Sequence, residues 1–190
     1  MTLTAPKTVN LIGLPVAATN YNQAIEWIES AALSGDRAYA VEAANTHVAA
    51  LARHDQSFGE VMEKFDLICP DGMPLVWLLN QKLDEAKKLT DRVYGPTLML
   101  KTIAASEQQQ KLKHFFFGGK QSTLAELTKR FTEDYPEAEL AGSYSPPFGT
   151  WPEDEFERVC EKIKESGANL VWVGLGCPKQ EQWIAEHKDH

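Results

Sequence analysis

The sequence is short of several things, and each shortage removes a class of function. It has only three cysteines, Cys69, Cys160 and Cys177, far apart and odd in number. That is no disulfide framework, and it suits a reducing compartment. No apolar run approaches the ~18 residues of a membrane-spanning helix. The first residues, "MTLTAPKTVN", lack the basic-then-apolar pattern of a signal peptide. There is no basic block or basic-aromatic stripe, and the net charge is −8, which disfavours nucleic acid and anionic lipid as partners of the chain as a whole. The five histidines are scattered without metal-ligand spacing, and each is expected at the surface or in a cap. No Asp-x-Asp pair follows any expected strand. The acids at 153–155 open an expected helix, where they complement its dipole. A Gly-x-Ser-x-Gly elbow is missing, which argues against serine hydrolase chemistry. "FGGKQS" lacks the upstream glycine of a phosphate loop, and "GLGCPK" lacks the third glycine of a dinucleotide site.

What remains is an ordinary globular composition, 43% hydrophobic and 24% charged over 190 residues, enough for one substantial core. Strand-like and helix-like segments alternate. "TVNLIG" (8–13) is expected as a first strand. The helix after it is capped by Thr19 or Asn20, stops at Gly35, and carries Ala24, Ile25, Ile28 and Ala32 on one face. "RAYAVEAA", "DLIC", "KHFFFGG", "AELAGSY" and "ANLVWVGLG" are further strands, the last the most apolar. A helix over roughly 46–64, broken near Asp55, and others from "PLVWLLNQKL", "PTLMLKTIAAS", "STLAELTKRFTEDY", "EDEFERVCEKIKESG" and "PKQEQWIAEH" fill the intervals. Trp151, Trp172 and the phenylalanines at 115–117 are expected in the core. The pattern predicts a single-domain α/β fold: a Rossmann-like, mainly parallel sheet with helices on both faces.

Ligands of such sheets bind beyond the carboxyl ends of the strands. That rule selects four loops, "EAANTH", "CPDGM", "FGGKQS" and "GLGCPKQ". In the second, Asp71 stands between Pro70 and Gly72 with apolar chain on either side. Either Asp71 caps the following helix at Met73, or it faces a crevice as a functional carboxylate. Gly118-Gly119 likewise either ends a strand or admits a ligand.

The stretches "ANTHVAALAR", "DLICPDGMPLVW", "RVYGPTLM", "GSYSPPF" and "VWVGLGCPKQEQWI", in this order from about Asn10 to the end, resemble the WecG/TagA/CpsF glycosyltransferases. The resemblance implies an inverting transfer of a sugar from a UDP-sugar to a polyprenyl-diphosphate-linked sugar, in cell-envelope or exopolysaccharide synthesis. It implies no metal and no cofactor. It assigns Asp71 as catalytic base, Arg92 to the diphosphate, Gln180 and Lys179 to the pocket, and Asn45 to a sugar. Gly118 and Gly119 would admit the uridine, and Thr46, Gly72, Gly95, Lys120, Gly176 and Pro178 complete the substrate-binding set. Ala43 stands where the family often has threonine, and Thr97 where it has aspartate. The family continues into a basic, aromatic tail that meets the membrane. The resemblance therefore implies a catalytic core over 1–190, with action at the cytoplasmic face of the membrane when that tail is present, and with self-association when it is absent. The alternatives are a non-catalytic nucleotide-sugar-binding domain, which would tolerate loss of Asp71, and a nucleotide-dependent oxidoreductase. The latter would need Gly-x-Gly-x-x-Gly where this chain has "LIGLPVAATN".

Overall fold

The computed structural model describes residues 6–189 apart from 110, 148, 150 and 153. Glu153 of the acidic run, Phe148 of "GSYSPPF" and His190 therefore lie outside the described residues. The chain is α/β with parallel strand pairs, as the alternation requires. It gathers into two compact units, one from residues 6–101 and 177–189, the other from 102–176.

The first unit opens with β1 (Thr8–Leu11) and β2 (Leu14–Ala17), an antiparallel hairpin. The single strand expected over 8–13 is thus corrected. The chain reverses at Ile12 and Gly13, both with positive φ (57° and 98°), as a two-residue hairpin turn demands. A β-branched residue in that conformation is uncommon, so the turn left no local signature. Helix α1 (Tyr21–Ser34) starts at Asn20, whose Oδ1 accepts from the Gln23 N–H while Gln23 Oε1 accepts from the Asn20 N–H. It ends at Gly35 in the left-handed conformation. Its fully buried residues are Ala24, Trp27, Ile28 and Ala31, so the buried face is turned from the expected one, with Ile25 on its flank. Trp27 is the largest side chain on the helix, and burying it decides the rotation.

Strand β3 (Val41–Ala44) pairs in parallel with β4 (Leu67–Pro70), with Ala44 opposite Pro70. Between them run α2 (Thr46–His54) and α3 (Gln56–Met62), separated at Asp55, which caps the second. Helix α4 (Met73–Asn80) follows β4, and α8 (Lys179–His187) returns from the end of the chain. Leu14, Val16, Val48, Phe58, Met62, Ile68, Leu75, Leu79 and Ala185 form the core. Burying each large side chain contributes roughly 1.5–3 kcal/mol. Helix α5 (Gly95–Gln109) leads out of this unit.

In the second unit β5 (Lys113–Gly118) is central, with β6 (Glu139–Tyr144) on one side and β7 (Leu170–Gly174) on the other, all parallel. Helices α6 (Gln121–Asp134) and α7 (Glu155–Ser166) connect them. Phe115, Phe116 and Phe117 are all buried, as expected of a strand covered on both faces. Strand β7, the most apolar, is only half-buried because it pairs on one edge alone among the described residues. His114 corrects the expectation of a surface histidine. It is fully buried, with Nδ1 accepting from Trp172 Nε1 at 3.1 Å and Nε2 3.0 Å from Ser106 Oγ. Burial pushes it down to about 4, so it stays neutral, and both ring nitrogens have partners. Ser106 gives its own proton to the Ile103 carbonyl, which leaves no activated nucleophile there.

Gly118 has φ 115°, and a Cβ on it would lie 2.6 Å from the Gly174 carbonyl carbon. Gly119 has φ 72° with open space around it. Urea unfolding should show Gly118→Ala losing roughly 2–5 kcal/mol, from strain and overpacking together. Gly119→Ala should lose only about 1–2 kcal/mol, from the left-handed backbone alone.

Candidate active site

The site grows from the carboxyl ends of β3 and β4. Because Ala44 and Pro70 are in register, the loops after the two strands leave side by side. The Asp71 N–H donates to the Ala44 carbonyl at 2.9 Å, extending the pairing one residue past the strand. The Val93 N–H donates to the Pro70 carbonyl at 2.8 Å and brings the "DRVYG" segment to the same place. Asn45, Asp71, Arg92 and Gly95 are thereby assembled from three separated stretches.

The helix that follows shows whether Asp71 is a cap. The N-cap of α4 is Gly72, with no side-chain hydrogen bond closing it and Pro74 in the first turn. Asp71 is therefore not the cap. Its carboxylate is half-buried and accepts from the Gly95 N–H instead. A Cβ on Gly95 would meet the Ala43 Cβ at 3.3 Å and lie 4.0 Å from Asp71 Oδ2, so glycine is what lets that backbone approach. Burial raises the proton affinity of Asp71 above its ordinary value, while the Gly95 N–H and Arg92 oppose the rise. A carboxylate held in that balance accepts a proton more readily than an exposed one.

Arg92 is exposed, its guanidinium 4.8 Å from the centre of the Tyr94 ring. It makes a cation–π contact there, and no ion pair between Arg92 and Asp71 occurs among the described residues. Asn45 caps α2, its Oδ1 accepting from His47 and Val48 N–H at 2.9 and 3.2 Å. The cap occupies the oxygen and orients the amide nitrogen. Thr46 is exposed at the first position of that helix. Pro178, Lys179 and Gln180 lie at the start of α8, and Gln180 Nε2 donates to Glu181 Oε1 at 3.2 Å.

The other candidates belong to the second unit. Gly118 is explained by the close passage of β5 and β7, without a ligand. Gly119 is exposed, and its carbonyl accepts from Ser145 Oγ at 2.8 Å. Lys120 is exposed at the start of α6 and makes no side-chain cap, and Gly176 has φ 81° in open space. Glu155, at the end of the acidic run, is fully buried and satisfied by Tyr144 Oη and by Arg158 at 3.0 Å. No group of three metal-ligating side chains occurs among the described residues.

Sequence reasoning passed over Glu42 and Glu181. Glu42 is in the middle of β3 and 6% exposed, and Glu181 is 0% exposed on the first turn of α8. The available signal was a lone acid inside the strand-like "AVEAA". Burial, then Glu181, then Asp71 push Glu42 up to about 8. The two neighbouring thiols are inert. Burial pushes Cys69 up to about 12, and burial with the Glu181 carboxylate does the same to Cys177. A thiol is a nucleophile only as thiolate, so neither is one near neutral pH.

A family model described as glycosyl transferase WecG/TagA/CpsF matches residues 9–190. Two curated relatives carry the name N-acetylglucosaminyldiphosphoundecaprenol N-acetyl-beta-D-mannosaminyltransferase. One, from Bacillus spizizenii (strain W23), is 29% identical over 164 residues, covering 86% of this chain and 60% of its own length. The other, from Bacillus subtilis (strain 168), is 21% identical over 182 residues, covering 96% of this chain and 68% of its own. The chain thus spans about two thirds or less of the relatives it matches.

Two measurements test the electrostatics. The folded state holds the Glu42 proton up to about 8, whereas an unfolded glutamate releases it near 4.5. The stability this proton contributes is full below the lower value and is lost as pH rises through the upper. Glu42→Gln should therefore match the wild type near pH 5. By pH 8 it should be the more stable protein, the gap growing by up to about 1.4 kcal/mol per pH unit in urea unfolding. Cys69 and Cys177 should resist iodoacetamide at pH 8 in the folded protein and react in urea.

Proposed function

Because the chain belongs to the glycosyl transferase WecG/TagA/CpsF family, we propose that it transfers a sugar from a UDP-sugar to a polyprenyl-diphosphate-linked acceptor with inversion. The names of the relatives favour N-acetylmannosamine as the sugar and a diphosphoundecaprenol-linked N-acetylglucosamine as the acceptor. The observation that carries the reading is Asp71. It is not the cap of α4, is half-buried, accepts from the Gly95 N–H and feels the charge of Arg92.

Inverting transfer is a single displacement. The acceptor hydroxyl oxygen forms a bond to the anomeric carbon as the bond from that carbon to the diphosphate oxygen breaks. The hydroxyl proton passes to Asp71, and UDP leaves with the electron pair. One base suffices, and no covalent nucleophile is needed. The negative charge that develops on the leaving diphosphate is met by Arg92, by Lys179 and by backbone N–H groups at the start of α8. Gln180 and the amide of Asn45 orient the sugars, with Thr46, Gly72, Gly95 and Pro178 shaping the surroundings. The proposed mechanism uses no metal. No helix among the described residues is long and apolar enough to cross a membrane, so a lipid-linked acceptor would be reached from the membrane surface.

Asp71→Asn preserves size and removes proton affinity. UDP release in the presence of a lipid-diphosphate-linked acceptor should fall by about 10² or more, with UDP binding little changed. Near wild-type turnover would remove Asp71 as the base. Turnover should also survive a chelator. Loss of activity in chelator with rescue by one metal would refute the metal-free mechanism.

A further inference from the structure

The proposed mechanism gives cations to the donor's diphosphate and none to the acceptor's. Yet the acceptor sugar is itself joined to a diphosphate. That group stays anionic throughout the transfer, so it needs hydrogen-bond donors and positive charge of its own. One cluster beside Asp71 offers both and has had no role so far. Tyr21, the first residue of α1, accepts at its Oη from the Tyr94 N–H at 3.0 Å. Lys101, in the second turn of α5, sets its Nζ 5.4 Å from the centre of the Tyr21 ring. The Arg92 guanidinium lies 4.8 Å from the centre of the Tyr94 ring. Two tyrosines thus carry two cations, joined by one hydrogen bond.

Backbone contacts fix this cluster beside the proposed base. The Val93 N–H donates to the Pro70 carbonyl at 2.8 Å. Gly95 passes so close to Asp71 that a Cβ there would lie 4.0 Å from Oδ2. Tyr94 stands between these two anchors, so Tyr21 and Lys101 are held at the same end of β4. No ion pair to Arg92 or Lys101 occurs among the described residues. The carboxylate of Asp91 accepts from the backbone N–H of Arg92 at 2.7 Å, not from its guanidinium. Thr97, one turn before Lys101 on the same face of α5, is neutral. The Tyr21 hydroxyl, which accepts from Tyr94, keeps its own proton to donate, and no acceptor for it occurs among the described residues.

The surroundings separate acceptor from donor. Tyr94 is 39% exposed, and Leu100, next to Lys101, is 46% exposed. Apolar surface beside a cation suits a diphosphate that carries a hydrocarbon chain and offers less to one that carries a nucleoside. The acceptor sugar is also bonded directly to its diphosphate, so whatever binds that diphosphate must stand a single sugar ring from the base. We propose that Tyr21 and Lys101 form the binding site for the diphosphate of the lipid-linked acceptor, with Arg92 left to the donor. Tyr21 donates its hydroxyl proton to a phosphate oxygen, Lys101 supplies the charge, and the Tyr94 N–H holds the phenol in place. The proposal rests on the reading of Asp71 as base and of a lipid-linked acceptor given above.

Calorimetric titration of the intact chain tests it. The probes are a short-chain prenyl-diphosphate-linked N-acetylglucosamine, an alkyl N-acetylglucosaminide without the diphosphate, and UDP. Lys101→Gln should weaken the prenyl-diphosphate probe on the order of tenfold, the loss of one charge-assisted hydrogen bond, and leave UDP within about twofold. Lys101→Arg should keep most of the affinity. Tyr21→Phe keeps the ring beneath Lys101 but loses the hydroxyl, and it should weaken the same probe alone. The alkyl glycoside should bind the wild type and every variant equally weakly. Lys101 is exposed, so the urea midpoint of Lys101→Gln should match that of the wild type. An equal loss of UDP affinity in Lys101→Gln would assign the cluster to the donor and overturn the acceptor site. Unchanged affinity of Lys101→Gln for the prenyl-diphosphate probe, or no binding of that probe by the wild type, overturns it outright. Full affinity in Tyr21→Phe removes the hydroxyl from the site. Failure of the wild type to bind UDP refutes the donor reading, whereas the prenyl-diphosphate titration still decides the acceptor site.

Discussion

The hydrogen bond from the Asp71 N–H to the Ala44 carbonyl organises the first unit's site. It continues the parallel pairing of β3 and β4 for one residue after both strands have ended. That residue is thereby denied to the next helix, and Gly72 must serve as its cap. With its backbone held by one strand and its side chain free of capping, Asp71 projects toward Gly95. The Val93–Pro70 bond then draws in the arginine-bearing segment. Parallel strands end in phase only when their register is set by buried side chains, so the core residues beneath, Ile68 and Ala44 among them, determine where the carboxylate stands.

The same geometry creates an electrostatic problem close by. The buried face of β3 carries Glu42 inward with Ala44, and the returning helix brings the charge of Glu181 within its reach. The usual remedy for buried acids is a partner lysine or arginine, and no ion pair to Glu42 or Glu181 occurs among the described residues. Burial therefore raises the proton affinity of Glu42. The two thiols beside the acids gain no activation from them, since a negative neighbour opposes formation of a thiolate. Burial and negative neighbours thus hold the protons of Glu42, Cys69 and Cys177 more tightly than usual.

Much of the fold was legible because its signals are local. The α1 boundaries followed from Asn20 and Gly35, the break near Asp55 from its capping side chain, and the buried central strand from three consecutive phenylalanines. The hairpin at Ile12 was not legible, since nothing in an apolar run announces a positive φ at a β-branched residue. His114 was misplaced for a related reason. Its burial depends on Trp172 and Ser106, which reach it from a neighbouring strand and from α5. The face of α1 was rotated because Trp27 outweighs Ile25 in the area it can bury.

By itself, the sequence determined the alternation of strands and helices after the opening hairpin, the loops at the carboxyl ends of the strands, and the candidacy of Asp71. These depend on apolar runs and turn residues that act over a few positions. Only the tertiary structure decided that Asp71 is not a cap and that Gly118 serves strand packing. It also decided that Glu42 and Glu181, far apart in the chain, are both buried, with the charge of Glu181 acting on Glu42. Whether a carboxyl keeps its proton depends on burial and on the charges around it, and those neighbours are chosen by folding, not by adjacency in the chain.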